Sequence, residues 1–235
     1  MKKTTVCDII FLVIILTKIY FVRHCEATGN VAQVFQGVSD TDITDLGAKQ
    51  LEFLKKRFEN IPLDTVYSSP LKRAYKTALA LKNNRDIEII EHKGLIELNG
   101  GIVEGKPIKE TFEKMPELAD AWQNHPEDFA PQNGESMRHA YERIYNTFLE
   151  IAKKNPGKTV ACATHGGVIR CLLCKLLSDD IHNLKNITLA DNTAVALLIV
   201  DGDDVTVQFY NDASHVPQEF LPKKSRASEF MKVNK

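Results

Sequence analysis

Two histidines stand directly after apolar, strand-forming segments, and a turn-forming stretch follows each of them. His24 follows Arg23 and residues 19–22, and His165 follows residues 159–163. The carboxyl ends of parallel strands meet at one edge of a sheet, where ligands bind. One histidine at a strand end is usually structural, but two at the same edge predict a shared site.

Two arginines belong to the same predicted edge. Arg23 precedes His24, and Arg73 follows the predicted second strand, residues 64–68. Guanidinium groups bind phosphate through paired hydrogen bonds, and a helix beginning at Gly166 would add backbone donors. These residue types predict an anion site. The alternative for Arg73 alone is a solvated charge on a helix surface.

A carboxylate near this cationic site could supply a proton. Glu97 follows the predicted third strand, residues 87–90. A carboxyl group in a partly apolar setting has a raised pKa and can protonate a leaving oxygen. The residues alone do not separate Glu97 from Glu104 or Glu135, and each of the three could be a surface charge.

Apolar strand-forming segments alternate with amphipathic helical segments along the chain. We predict strands at residues 19–22, 64–68, 87–90 and 159–163, a final hairpin of 194–200 and 205–210 about Gly202, and helices at 47–58 (capped by Thr44), from Pro70 to 81, at 136–154 and at 168–177. This alternation predicts an α/β fold with a mainly parallel sheet. Residues 94–134, which contain Trp122 and four prolines, are expected to form a partly helical lid inserted in that fold.

Composition narrows the class of protein. The 235 residues are 43% hydrophobic and carry 30 basic and 31 acidic side chains, a net charge of −1, which argues against a nucleic-acid partner. The five cysteines are odd in number and favour a reducing, cytoplasmic setting. Cys171 and Cys174 form a Cys-x-x-Cys pair without a complementary pair, so buried helix thiols are expected rather than a zinc site.

The N-terminal segment allows three interpretations. Lys2 and Lys3 precede an apolar run at residues 9–16, which is too short to span a membrane. It could be an added arm, a membrane-surface anchor or signal-like segment, or an upstream extension from a misassigned start. We therefore divide the chain into residues 1–16, a domain at 17–221, and a tail at 222–235.

From about residue 17 to 221, the chain resembles the histidine phosphatase superfamily, the phosphoglycerate-mutase-like proteins. The motifs that carry the resemblance are Val22-Arg23-His24-Cys25-Glu26-Ala27 through Asn30, Phe35-Gln36-Gly37 with Asp40 and Asp42, Tyr67-Ser68-Ser69-Pro70-Leu71-Lys72-Arg73-Ala74 with Thr77-Ala78, Leu95-x-Glu97 with Gly101 and Glu104-Gly105, Gly134-Glu135-Ser136, and Thr164-His165-Gly166-Gly167-Val168-Ile169-Arg170. One position departs from the pattern, because Cys25 stands where the family has glycine. Its thiol could narrow the pocket or be oxidisable, but packing beneath the strand end is the preferred interpretation.

The resemblance implies a three-layer α/β sandwich and a phosphohistidine mechanism without a metal or cofactor. In that mechanism His24 attacks phosphorus, and Glu97 first protonates the leaving alcohol and then deprotonates water. The phosphate pocket is completed by Arg23, Arg73, His165, Asn30, Gln36, Gly37 and Gly166.

Within this family a phosphatase is favoured over a mutase. The chain lacks the longer insertion, with its Tyr-Gly and Asn-Lys segment, that holds the sugar acid in phosphoglycerate mutases. The expected partner is a small phosphoester such as a sugar phosphate, a phosphoglycerate or α-ribazole phosphate, and a homodimer is possible. The alternatives are a cofactor-dependent phosphoglycerate mutase and a non-catalytic phosphate-binding module.

Overall fold

The structure, a computed structural model, describes residues 16–221. The predictions for the N-terminal apolar segment, apart from Leu16, and for the C-terminal tail lie outside these residues. Within residues 16–221, none of the helices combines the length and the hydropathy that a membrane crossing requires.

A six-stranded sheet forms the centre of the fold. Its strands are β1 (Thr17–Arg23), β2 (Thr65–Ser68), β3 (Ile89–Glu91), β4 (Thr159–Thr164), β5 (Val195–Asp201) and β6 (Asp204–Asp212). The spatial order is β3-β2-β4-β1-β5-β6. The first four strands are parallel to one another, whereas β5 pairs antiparallel with both β1 and β6. The predicted mainly parallel sheet with a terminal hairpin is therefore confirmed.

Helices cover both faces of the sheet. The α-helices are α1 (Thr28–Val31), α2 (Asp45–Phe58), α3 (Lys72–Lys82), α4 (Ile108–Lys114), α5 (Pro116–Asn124), α6 (Met137–Lys154) and α7 (Gly166–Ser178). Side chains from α6 and α7 pack on one face of the sheet, and those from α2 and α3 pack on the other. This arrangement is the predicted three-layer sandwich.

Alternation along the central strands explains why both faces are covered. In β1, Ile19 and Phe21 join the core beneath α6 and α7, while Val22 joins the core beneath α2 and α3. In β4, Cys162 joins the core beneath α6 and α7, and Ala163 joins the core beneath α2 and α3. Successive strand residues point to opposite faces, so an almost wholly apolar strand must be covered on both sides.

The helix boundaries follow local capping chemistry. The Thr44 hydroxyl accepts the Gly47 amide at 3.0 Å, and Ser136 caps α6 in the same way. The prediction that Pro70 lies in the first turn of α3 is wrong, because Leu71 is the N-cap and is extended. A hydrogen bond from the Ser69 amide to the Ala163 carbonyl holds the preceding chain against the sheet.

The segment between β3 and α6 is partly helical, as expected of a lid. It contains α4, α5 and short 3₁₀ turns at Lys93–Leu95, Gly101–Val103 and Pro126–Asp128. Further 3₁₀ turns lie at Ile181–Asn186 and Gln218–Phe220.

Candidate active site

The two histidines lie side by side because their strands are neighbours in the sheet. Arg23 at the end of β1 is in register with Thr164 at the end of β4. The His24 amide donates to the Thr164 carbonyl at 2.8 Å. The two imidazole rings are consequently 5.2 Å apart, centroid to centroid.

Among the residues that the structure describes, only one ring nitrogen of His24 has a hydrogen-bond partner. Its Nδ1 lies 2.6 Å from the Cys25 carbonyl oxygen. Because a carbonyl can only accept, Nδ1 carries the proton and Nε2 keeps its lone pair. Burial, followed by Arg73 and Arg23, lowers the pKa of His24 well below its ordinary value, which keeps the ring neutral.

His165 is also buried and neutral. Burial is the main cause that lowers its pKa well below the ordinary value. Its Nε2 lies 2.8 Å from the Ser69 hydroxyl oxygen, which also accepts the Leu71 amide at 3.4 Å. When the hydroxyl donates to Nε2, the neutral ring carries its proton on Nδ1. This Nδ1 is buried and has no hydrogen-bond partner among the described residues.

In both predicted arginines, only some of the guanidinium N–H groups have a hydrogen-bond partner. Arg73 is fully buried and donates to the Ser39 carbonyl at 2.7 Å and the Gly37 carbonyl at 2.9 Å, while Arg23 donates to the Ala190 carbonyl. Within residues 16–221, neither Nε has a partner. Burial lowers the pKa of Arg73 to about 10, so the group remains charged at neutral pH.

Glu97 lines the same pocket as His24. Its Oε2 accepts the Gly167 amide at 2.9 Å, and its Oε1 accepts the Leu98 amide at 3.1 Å. Burial raises the pKa of Glu97, and the two amide hydrogen bonds and Arg73 only partly oppose this effect. The carboxyl group is thus shifted towards the protonated form that a general acid requires.

The structure separates the three glutamates that the residues alone left equivalent. Glu104 accepts the amides of Val38 and Gly100 at 2.9 and 2.7 Å and so ties a loop to the lid. Glu135 pairs with Arg143 through two hydrogen bonds of 2.7 Å. Glu97 is the one of the three that lines the pocket.

A pocket opens above His24. Six of the predicted site residues line it: Arg23, His24, Asn30, Gln36, Glu97 and Gly166. The other three, Arg73, His165 and Gly37, are buried and lie outside the lining. Gly37 is part of the scaffold, since a Cβ there would lie 2.0 Å from the Leu98 carbonyl oxygen.

The four cysteines within residues 16–221 are buried. Cys25 is fully buried in the core beneath α2 and α3, and burial raises its thiol pKa to about 12. It does not line the pocket, so the packing interpretation holds and the thiol does not narrow the site. Cys171 and Cys174 are buried on α7. Within residues 16–221, no group of three or more His, Cys, Asp or Glu side chains is placed to hold a metal ion.

The loop before β5 supports the site and was missed by sequence reasoning. The Asn192 side-chain amide donates to the His24 carbonyl at 3.0 Å, and the Thr193 amide donates to the Arg23 carbonyl at 3.1 Å. Thr193 has φ of 59°, a conformation that a β-branched residue rarely adopts. The only local signal was the turn-forming Asp-Asn-Thr sequence, which does not say what the turn contacts.

Comparison with known proteins agrees with this geometry. The family model of the histidine phosphatase superfamily (branch 1) matches residues 19–213. Phosphoserine phosphatase 1 of Hydrogenobacter thermophilus is 34% identical over 206 residues, 88% of this chain and 97% of that protein. A metal-independent phosphoserine phosphatase of Arabidopsis thaliana is 38% identical over 165 residues, 68% of this chain and 69% of that protein.

A solved structure shows the same fold. YhfR of Bacillus stearothermophilus superposes with a TM-score of 0.81 at 31% identity, covering 85% of this chain and 98% of that one. The family match extends from β1 to the end of β6 and includes both histidine-bearing strand ends. The chain belongs to the histidine phosphatase superfamily, branch 1, and is a phosphatase enzyme.

Proposed function

We propose that the chain is a metal-independent phosphomonoester hydrolase that acts through a phosphohistidine formed on Nε2 of His24. The substrate is a small phosphorylated metabolite. The similarity to two phosphoserine phosphatases places phosphoserine beside sugar phosphates, phosphoglycerates and α-ribazole phosphate as the esters to test.

One observation carries the proposal. Three buried nitrogen donors around His24 have no partner within residues 16–221: Nε of Arg23, Nε of Arg73 and Nδ1 of His165. Buried donors without partners are costly, and native proteins rarely keep them without a reason. A phosphoryl group in front of a neutral imidazole would accept from such donors, and the transition-state charge would be stabilised in the same way.

The first chemical step transfers the phosphoryl group to the enzyme. The lone pair on Nε2 of His24 forms a bond to phosphorus while the bond from phosphorus to the ester oxygen breaks. The protonated Glu97 gives its proton to the leaving oxygen, and the alcohol departs. The hydrogen bond from Nδ1 to the Cys25 carbonyl stabilises the positive charge that develops on the ring.

The second step regenerates the enzyme. Glu97, now ionised, takes a proton from a water molecule as the water oxygen bonds to phosphorus. The bond from phosphorus to Nε2 breaks, and inorganic phosphate leaves. Arg23 and Arg73 hold the phosphoryl oxygens through both steps, so the chain's own residues supply all of the charge stabilisation.

The experiment measures phosphate release and traps the intermediate. The purified chain with EDTA is assayed against phosphoserine, 3-phosphoglycerate and α-ribazole phosphate, with His24→Ala as the control. Reactions quenched in alkali, in which phosphohistidine survives, are digested and analysed by mass spectrometry. We expect a phosphorylated peptide containing His24 in the unaltered chain and neither turnover nor label in His24→Ala.

Two results would contradict the proposal. Turnover that persists in His24→Ala would contradict the phosphohistidine intermediate. Turnover that EDTA abolishes would contradict metal independence. Interconversion of phosphoglycerates in the presence of 2,3-bisphosphoglycerate, without net release of phosphate, would support the mutase alternative instead.

A further inference from the structure

The carboxyl group of Glu104 lies against the backbone of the loop at residues 36–39. Its Oε1 accepts the Val38 amide at 2.9 Å. Its Oε2 accepts the Ser39 hydroxyl at 2.5 Å, and more distantly the amides of Ser39 and Gly37 at 3.2 and 3.3 Å. All of these partners are donors, so the group bonds as a carboxylate that only accepts.

The same loop holds the guanidinium group of Arg73 through its carbonyl oxygens. Nη2 of Arg73 donates to the Gly37 carbonyl at 2.9 Å and to the Gln36 carbonyl at 3.4 Å. Nη1 donates to the Ser39 carbonyl at 2.7 Å. These contacts fix the plane of the guanidinium, and with it the direction of the buried Nε–H bond that has no partner within residues 16–221.

Two peptide groups of the loop connect the two charges. One contains the Gly37 carbonyl and the Val38 amide, and this group donates to the carboxylate and accepts from the guanidinium. The peptide group before it, with the Gln36 carbonyl and the Gly37 amide, has the same pair of contacts at longer distances. In a trans peptide the N–H and C=O bonds point in opposite directions. Each group can therefore bond Glu104 on one side and Arg73 on the other.

The two charged groups strengthen each other's contacts with the loop. Hydrogen bonds to ionised groups are stronger than neutral ones, and hydrogen bonds that share a peptide group polarise one another. Burial lowers the pKa of Arg73, and the charges of Glu97, Asp40 and Glu104 oppose this shift. Loss of the Glu104 charge would consequently weaken the hold of the loop on the guanidinium.

Gly37 allows the carboxylate to approach the loop this closely. A Cβ at this position would lie 2.0 Å from Oε1 of Glu104, so no side chain fits between the two. Glu104 itself does not line the pocket. Any effect of its charge on a bound phosphoryl group must therefore pass through the loop and the residues that the loop holds.

We propose that Glu104 is a positioning residue for the reaction, which holds the loop at residues 36–39 so that the guanidinium of Arg73 is fixed beside His24. The inference rests on the proposed function and deepens it, because it extends the control of the phosphoryl group to a side chain outside the pocket. Glu104 acts through Arg73 and does not contact the substrate.

A double-mutant cycle between Glu104 and Arg73 tests this role. Glu104→Gln keeps the shape of the side chain, but its NH2 group faces backbone N–H groups, with which it cannot form a hydrogen bond. We expect kcat/KM for the preferred ester to fall by about 10- to 100-fold, the scale of a small misplacement of a binding group. In the Arg73→Ala background the same substitution should cost less than about 3-fold, because residues that act as a unit are not additive.

Asp64 provides the matched control. Its carboxylate also accepts a backbone amide, that of Thr159 at 2.7 Å, but at the start of β4 and so at the opposite end of this strand from His165. Asp64→Asn should leave kcat/KM unchanged in both backgrounds. The same loss from Glu104→Gln with and without Arg73, or a comparable loss in Asp64→Asn, would overturn the inference.

Ser39→Ala is a milder change at the same contact. It removes the hydroxyl that donates to Oε2 of Glu104 and leaves the Ser39 carbonyl for Arg73. We expect a loss of about 3-fold, the scale of one hydrogen bond, and no further loss in Arg73→Ala. If denaturant unfolding shows that Glu104→Gln does not fold, the cycle of Ser39 and Arg73 decides the question, and an undiminished loss in Arg73→Ala would contradict the role of Glu104.

Binding of inorganic phosphate tests the positioning without turnover. Isothermal titration calorimetry gives its Kd for the four proteins of the Glu104 and Arg73 cycle. Glu104→Gln should weaken binding in the unaltered chain and have little effect in Arg73→Ala. If this coupling is present and no ester is hydrolysed, the proposed function fails and the inference stands. If phosphate is released through His24 but the two losses simply multiply, the proposed function stands and the inference fails.

Discussion

At the scale of single residues, burial shifts the pKa values of His24 and Glu97 in opposite directions, and both shifts favour the neutral form of the group. Loss of water disfavours the charged form of each group, so it lowers the pKa of the imidazole and raises that of the carboxyl. Both neutral forms are the reactive ones, a nucleophilic imidazole and a proton-donating acid. In water at neutral pH, a glutamate carboxyl group is ionised. Burial in the same pocket instead favours the neutral form of both the carboxyl group and the imidazole.

This pairing predicts the pH dependence of the first step. His24 is active above its lowered pKa and Glu97 is active below its raised pKa. We therefore expect kcat/KM, corrected for ionisation of the substrate, to stay high well below the ordinary histidine pKa and to decline above the ordinary glutamate pKa. Glu97→Gln should remove the alkaline decline and lower the rate. An acid limb at the ordinary histidine value would contradict the buried, neutral state of His24.

Arg73 provides a second test at this scale. Its guanidinium both holds the loop at Gly37 and Ser39 and supplies a buried donor beside His24. We expect Arg73→Ala to lower the rate of phosphate release by about 10²- to 10³-fold, by analogy with the loss of an oxyanion-hole donor. Steady-state kinetics on the preferred ester measure the change.

Arg85 is the matched control for this substitution. It also donates to backbone carbonyls, those of Leu81 and Ile61 among them, but at the far end of α3. Arg85→Ala should affect stability more than turnover. Full activity in Arg73→Ala, or equal losses in the two variants, would place Arg73 outside the machinery of the site.

At the scale of elements, the start of α7 connects the core to the lid. Gly167 allows its amide to approach Glu97, because a Cβ at this position would lie 2.5 Å from Oε1 of the carboxylate. A Cβ at Gly166 would instead meet the flexible end of Leu189 at 2.8 Å and Nε of Arg23 at 3.3 Å. The two adjacent glycines therefore have different functions.

We expect Gly167→Ala to displace Glu97 and lower kcat by about 10²-fold, the scale of loss for a misplacement of about 1 Å. Gly166→Ala should have the smaller effect on kcat, since the end of Leu189 can move, and should act mainly on phosphate binding through Arg23. Kinetics with inorganic phosphate as the inhibitor distinguish the two outcomes. Equal effects on kcat would show that the carboxylate does not depend on the Gly167 contact.

At the scale of the whole molecule, the two helical layers have different tasks. The layer of α6 and α7 continues into the pocket through Met137 and Gly166. The layer of α2 and α3 contributes Arg73 from the first turn of α3, and its apolar side chains pack beneath the sheet. Destabilisation of that apolar core should therefore reduce the free energy of unfolding with little effect on the chemistry.

Leu54 tests this division. It is fully buried on α2, and Leu54→Ala should lower the free energy of unfolding by about 2–5 kcal/mol. Leu79 on the adjacent α3 is 47% exposed, and Leu79→Ala should change stability by less than about 0.5 kcal/mol. Denaturant unfolding gives both values, and kcat of the folded Leu54→Ala enzyme should be unchanged. A large loss of kcat would show that the two layers are coupled through the sheet.

Local patterns in the sequence determined the alternating strands and helices, the mainly parallel sheet and the pair of histidines at its edge. These features follow from apolar periodicity, capping residues and the rule that parallel strands end together. Thr44, Ser136 and Gly202 marked element boundaries because their effects act within a few residues. The prediction that a helix begins at Pro70 was wrong, because the chain before α3 is held by the sheet rather than by the helix.

Only the tertiary structure decided which carboxylate serves the site, where the Cys25 thiol packs, and how the nucleophile is oriented. Glu97 differs from Glu104 by its place in the lining of the pocket and by contact with Gly167, a residue 70 positions away. The contact between Asn192 and His24 spans 168 positions. Burial and the choice of hydrogen-bond partner depend on how distant segments pack, and the periodicity of a local segment holds no information about that packing.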